Sequence, residues 1–286
     1  MEQYDNRGIR IAFYGKGGIG KSTIASNVAA GFSSLGFKVL LIGCDPKGDS
    51  TRNIMGKKIQ SVIRSIQQEG KKLQKSDFMK VGFNGIHCVE TGGPEAGVGC
   101  AGRGIITMME ELENHKILEQ NWDVIIFDVL GDVVCGGFAV PMREQYVDAV
   151  YIVSSSEFMS VYAANNIMKS IAKFSEDRSP FLGGIIYNQR NNNSKEEIIE
   201  KFAWKTATEI IAEIPYSDEI AMYELEATTT VEKKANIAEQ FIHLAQYIFK
   251  KRDYKTPKPL NEEELELFSK EIIAMKLEER EKSHVK

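Results

Sequence analysis

The sequence has little that would fix a compartment or a charged partner. Its 286 residues hold four cysteines, Cys44, Cys88, Cys100 and Cys135, and no CxxC pair. That spacing excludes a compact thiolate site on one segment, because a four-thiolate site within one chain would need all four cysteines from four separate segments. No apolar run reaches the roughly 18–20 residues that span a bilayer. Met1–Arg10 is polar and lacks the charged-then-apolar order of a signal peptide. A cytoplasmic location is therefore expected, where structural disulfides are disfavoured and cysteines act as core fillers, metal ligands or reactive thiols. The net charge is only −4, which gives no global reason to bind nucleic acid or an anionic membrane. No internal repeat and no long linker occurs, so one domain is expected over residues 1–286, with a core from about 9 to 255 and a C-terminal tail from 256.

What is present is a recurrent alternation. Short β-branched apolar runs lie at Ile9–Tyr14, Lys38–Gly43, Ile86–Glu90, Asp123–Asp128, Ala149–Val153 and Leu182–Tyr187, with a weaker one at Glu209–Ile214. Nearly continuous Ile, Val and Leu mark strands buried on both faces. Helical patterns between them include Ile19–Leu35 and Glu232–Lys250, the latter with Ala235, Ala238, Ile242 and Ala245 at helical spacing. The predicted fold is α/β, a mostly parallel sheet with helices on both faces. In the tail, Asn261 and Glu264 have the spacing of a capping box, opening a helix that carries Leu265, Phe268, Ile272 and Met275. That helix either docks on its own domain or packs on a second subunit or partner.

The first strand runs into Gly15-Lys16-Gly17-Gly18-Ile19-Gly20-Lys21-Ser22-Thr23. This is GxxxxGK[ST] between a strand and a helix, the context a phosphate-binding loop requires. Its glycines let backbone N–H groups face a phosphate, and the helix N-terminus adds partial positive charge. Lys21 is placed to neutralise β/γ-phosphate charge and Ser22 to ligate Mg2+. The extra Lys16 reads either as a solvated surface charge or, as in the deviant Walker-A ATPases (KGGxGKS) that this loop resembles, as a lysine reaching phosphate on a facing subunit. Two further strands lead to carboxylates: Asp45 and Asp49 in Cys44–Thr51, and Asp128 at the end of a Walker-B-like run, with Asp132 a turn later to orient water. The plainer reading of these acidic residues is turn chemistry.

Cys100 and Cys135 each lie in a glycine-rich loop, 92–104 and 131–137, where backbone N–H groups favour an anion and lower a thiol pKa. Two thiolates per chain cannot complete a four-thiolate cluster site, but two chains about a two-fold axis can. The alternative is two unrelated small residues in tight loops. Cys44 and Cys88 read as buried structural thiols, and His87, His115, His243 and His284 form no metal-ligand spacing.

Five blocks, AFYGKGGIGKST, GCDPKGDST, GGPEAGVGCAGRG, DVLGDVVCGGFAVPMRE and VYAANNI, resemble the nitrogenase iron protein family (dinitrogenase reductase and its relatives). They extend from residue 9 to about 168. The resemblance implies a homodimer with one [4Fe–4S] cluster between the subunits, MgATP on each, and ATP-gated electron transfer to a nitrogenase or nitrogenase-like catalytic protein. It also implies a ferredoxin or flavodoxin as the electron source.

Carried over by residue, Cys100 and Cys135 would ligate the cluster, and Gly15, Lys16, Gly17, Gly18, Ile19, Gly20, Lys21, Ser22 and Thr23 would hold phosphate. Lys16 and Lys21 would act on the phosphates. Asp45 and Asp49 would form a first switch, and Asp128 and Asp132 a second, with Ser22, Asp49 and Asp128 serving the metal. Asn188 would contact adenine, and Arg103 would sit on the docking face. Ile214–Asp218 follows the family's adenine-side pattern only loosely. The family also includes donors for tetrapyrrole and other reductions. CAGRG and ANNI look more like the nitrogenase branch. A cluster-free positioning or partition ATPase would share KGGxGKS but not the cysteine loops.

Overall fold

Strands that are apolar throughout need cover on both faces, and the computed structural model supplies it. The structure describes residues 8–93, 101–131, 136–176, 179, 181–192 and 196–284. The strands are β1 (Ile9–Gly15), β2 (Val39–Gly43), β3 (Met79–Val81), β4 (His87–Glu90), β5 (Val124–Asp128), β6 (Ala149–Ser154), β7 (Leu182–Asn188) and β8 (Ile210–Ile214). They form one sheet in the order β3-β4-β2-β5-β1-β6-β7-β8, parallel except for β3. In β1, Ile9, Ile11 and Phe13 enter one apolar core, while Ala12 and Tyr14 enter the other. In β5, Val124 and Ile126 separate from Ile125 and Phe127 in the same way.

The helices are α1 (Lys21–Ser34), α2 (Arg52–Met55), α3 (Val62–Glu69), α4 (Lys75–Phe78), α5 (Ala101–Asn114), α6 (Phe158–Phe174), α7 (Glu196–Lys205), α8 (Asp218–Leu225), α9 (Ala238–Lys250) and α10 (Glu262–His284). Helices α1 and α9 cover one face of the sheet. Helices α5, α6, α7 and α10 cover the other. Helix α5 does so through Ile105, Met108, Met109 and Leu112, the i, i+3, i+4, i+7 stripe of an amphipathic helix.

The capping box is present as read. Asn261 N–H donates to Glu264 Oε2 at 2.8 Å, and Glu264 N–H to Asn261 Oδ1 at 2.9 Å. Helix α10 docks in cis: Leu265, Phe268 and Ile272 are buried, and Glu271 pairs with Lys201 and Lys205 of α7. Asn165, in the ANNI block, fastens the tail by exchanging two hydrogen bonds with the backbone of Leu260.

Two elements differ from the sequence reading. The helix expected over Glu232–Lys250 opens only at Ala238. Asn27 of α1 captures both the N–H and hydroxyl of Thr230, and Lys234 has φ 54°, which no α-helix accommodates. Ala235 therefore precedes the helix, whose buried face is Ala238, Phe241, Leu244, Ala245 and Ile248. The antiparallel edge strand β3 has no counterpart in the sequence reading. Its three residues are partly or fully exposed and make no apolar run.

Candidate functional site

The site lies beyond the carboxyl ends of the central strands, where open α/β sheets bind ligands. Strand β1 ends at Gly15 and the loop turns into α1. Gly20 caps that helix at φ 91°, a left-handed conformation, and a Cβ there would lie 2.5 Å from Asn188 Nδ2. Lys16, Gly17, Gly18, Lys21, Ser22 and Thr23 border a polar cavity of about 300 Å3. Asp45, Lys47 and Asp49 border it from the segment after β2. Gly15 and Ile19 are buried beneath the loop.

Lys21 is buried and forms an ion pair with Oδ1 of Asp128, itself fully buried at the end of β5. Asp128 Oδ2 has no hydrogen-bond partner among the described residues. A buried carboxylate oxygen left open at the edge of a phosphate loop suits a metal ion or its water shell. Asp45 is buried, and its Oδ1 accepts the Lys47 N–H at 2.9 Å. Ser26 of α1 holds the Ser50 carbonyl at 3.0 Å.

Asn188, at the end of β7, donates to the Ile19 carbonyl at 2.7 Å. It also lines a smaller cavity with Ile214, Pro215, Tyr216, Ile220 and Glu224, on the side where sequence reading expected adenine. Arg103 is exposed on the first turn of α5.

Cys100, Cys135 and Asp132 lie outside the described residues, but the segments that follow both cysteines are within them. A Cβ on Gly137 would lie 2.1 Å from the Gly102 carbonyl oxygen, so the two segments cross backbone to backbone. Each crossing residue is two positions beyond its cysteine. Tyr14 OH donates to Phe138 O at 2.8 Å, which ties the second segment to the end of β1. Gly131 N–H donates to Gly15 O at 3.1 Å. The nucleotide loop and the described residues that follow both cysteines are therefore in direct contact.

Sequence reasoning missed three residues. Glu90 ends β4 fully buried and accepts the Thr51 N–H on Oε1 at 2.5 Å. Burial lifts its carboxyl to about 8, against the lowering pull of Thr51 beside it. The rule that singled out Asp128, an apolar strand ending in a carboxylate, also picks out Glu90. Glu224 accepts the Thr23 hydroxyl at 3.0 Å, and Arg52 donates to the carbonyls of Glu224 and Leu225. Their long sequence separations left no local signal. Cys44 and Cys88 are buried free thiols, as expected. Burial, then neighbouring carboxylates, push both well up, which makes them poor nucleophiles.

A mostly parallel sheet, a GKGGIGKS loop opening α1 and buried carboxylates at the ends of adjacent strands define a P-loop ATPase of the deviant Walker-A type. Solved structures share this fold. They include the MinD septum site-determining protein of Pyrococcus horikoshii complexed with Mg-ADP, with TM-score 0.65, 17% identity, and coverage of 85% of this chain and 96% of that one. A ParA family ATPase of Chlorobium tepidum superposes with TM-score 0.63 at 20% identity, covering 85% of this chain and all of that one.

Sequence comparison is more specific. The model of the family described as 4Fe-4S iron sulfur cluster binding proteins, NifH/frxC family, matches residues 9–275, well past the region that carried the five blocks. Nitrogenase iron protein 2 of Methanothermobacter thermautotrophicus is 47% identical over 261 residues, 91% of this chain and 96% of that protein. The nitrogenase iron protein of Methanococcus voltae is 44% identical over 267 residues, 92% of this chain and 96% of that one.

The chain belongs to the NifH/frxC family of 4Fe–4S cluster-binding proteins, and it is a nitrogenase-type, ATP-hydrolysing oxidoreductase component. Its cofactors are a [4Fe–4S] cluster and ATP with Mg2+.

Proposed function

We propose that the chain works as a homodimer in which MgATP hydrolysis gates electron transfer from one subunit-bridging [4Fe–4S] cluster to a nitrogenase or nitrogenase-like catalytic protein. The observation that carries this reading is the crossing of Gly102 and Gly137, with the second segment tied to the nucleotide loop through Gly131 and Tyr14. Cys100 and Cys135 of each subunit would hold the cluster, which supplies one-electron redox chemistry when bound. In the described chain, Lys21 would leave Asp128 to meet β/γ-phosphate, and Asp128 would turn to the metal. Ser22 and Asp49 would complete the metal shell, Lys16 would act across the interface, and Asp132 would orient the attacking water. Asn188 would contact adenine from the end of β7. Arg103, exposed beside the cysteine segments, would belong to the docking surface. The cytoplasm, with a ferredoxin or flavodoxin as electron source, is the setting this chemistry fits.

The test is anaerobic purification, an iron count, and EPR of the dithionite-reduced protein with and without MgATP. About four irons per dimer and a reduced-cluster signal that MgATP alters are the expected results. A protein that takes up no iron even after reconstitution with iron and sulfide would remove the electron-carrier reading and leave a switch ATPase.

A further inference from the structure

Glu90 is a carboxyl group with no counter-ion among the described residues and no exposure to solvent. Burying such a group is costly unless its position does something the fold needs. One oxygen accepts the Thr51 N–H at 2.5 Å, just beyond the Asp45–Ser50 segment. The other, Oε2, has no hydrogen-bond partner among the described residues and lies against the backbone of Gly43, where a Cβ would sit only 2.1 Å away.

The residues after Glu90 continue the same contact. Thr91 N–H donates to Gly43 O at 2.8 Å. A Cβ on Gly93 would lie 2.9 Å from Pro46 Cβ, inside the nucleotide-side segment. The Gly92 carbonyl would lie 3.2 Å from a Cβ on Gly104, in the first turn of α5. The strip 90–93 is thus bonded to the segment after β2 and packed on the helix that follows Cys100.

We propose that Glu90 is a positioning residue: by holding the Thr51 amide, it carries nucleotide-driven movement of residues 45–51 into the strip 90–93 and so to the first turn of α5, the helix that follows Cys100. This route is separate from the ties of Gly131 to Gly15 and of Tyr14 to Phe138, and it rests on the electron-carrier reading above. The role needs a hydrogen-bond acceptor of this length, not a negative charge. Burial holds the carboxyl largely protonated near neutral pH, so glutamine is a close replacement.

The test uses the full-length, cluster-loaded protein and two variants, Glu90→Gln and Glu90→Met. Methionine keeps the volume and removes the acceptor. The readouts are the rate of iron removal by a chelator with and without MgATP, and MgATP affinity measured separately. Glu90→Met is expected to bind MgATP within about threefold of wild type yet lose most of the nucleotide-dependent change in iron removal. Glu90→Gln is expected to restore it.

A wild-type-sized nucleotide response in Glu90→Met overturns the proposal. A wild-type protein with iron but no nucleotide response overturns the nucleotide gating in the reading above as well. If Glu90→Met does not fold, hydrogen exchange on the wild type decides. MgATP must change protection in peptides covering 45–52 and 88–93 together, and a change confined to 45–52 sinks the coupling.

Discussion

At the scale of single residues, Glu90 makes stability depend on pH in a direction opposite to most carboxylates. Its pKa stands at about 8 in the fold, above the ordinary 4.5. The folded state therefore binds the extra proton between those values. The contribution is complete below about pH 4.5 and is lost as pH rises through about 8. Wild type is expected to lose thermal stability relative to Glu90→Gln as pH rises from about 5 to about 8.5. Parallel melting curves across that range would remove the protonated-carboxyl assignment.

The residue was within reach of the sequence, since Ile86–Glu90 reads as a strand ending in an acid. What the sequence does not carry is that β4 lies beside β2, which brings that acid to Thr51. Lys21, Asp45 and Asp128 were legible for the opposite reason. Lys21 sits in the P-loop motif, which fixes its own context of strand, turn and helix, and the two aspartates stand at the ends of apolar strands.

At the scale of elements, the legible parts were those with a local physical signature. Buried central strands announce themselves by continuous Ile, Val and Leu, and α10 by the Asn261–Glu264 reciprocal cap. Elements whose limits are set from a distance were not legible. Helix α9 begins late because Asn27, about 200 residues upstream, holds Thr230. Strand β3 exists because β4 offers it an edge.

The crossing of the two cysteine segments belongs to this scale too, and its only trace in the sequence is the glycines near each cysteine. Gly137 sits where any side chain would enter the Gly102 backbone. Gly137→Ala is expected to push the segments apart and lower iron retention several-fold, while MgATP affinity stays near wild type. An iron count and a nucleotide titration on the same preparation check this, and undiminished iron content would contradict it.

At the scale of the whole molecule, fold and family diverge in what they say. The sheet with its P-loop is shared with MinD and ParA proteins at 17–20% identity, and that likeness extends to the fold alone. Family membership rests instead on the match over 9–275 and on relatives at 44–47% identity. The two are reconciled by location. Sheet order gathers β1, β2, β4 and β5 so that their carboxyl ends carry the phosphate loop, the acidic side chains and the entries to both cysteine segments. The scaffold beneath those loops is the part held in common with the MinD and ParA structures.

The Lys21–Asp128 pair has a consequence for the order in which ligands arrive. The ammonium group holds one oxygen of the carboxylate and leaves Oδ2 open, so a bare divalent cation approaching Asp128 meets a nearby positive charge in a buried setting. A triphosphate lowers that repulsion by giving the lysine another anion. The metal should therefore enter in company with the nucleotide. Calorimetric titration with magnesium alone is expected to show no saturable heat at this site, whereas Mg-nucleotide gives a defined isotherm. Magnesium binding alone with comparable affinity would mean that the lysine yields without help. The ion pair thus makes the order of arrival a measurable property of the site.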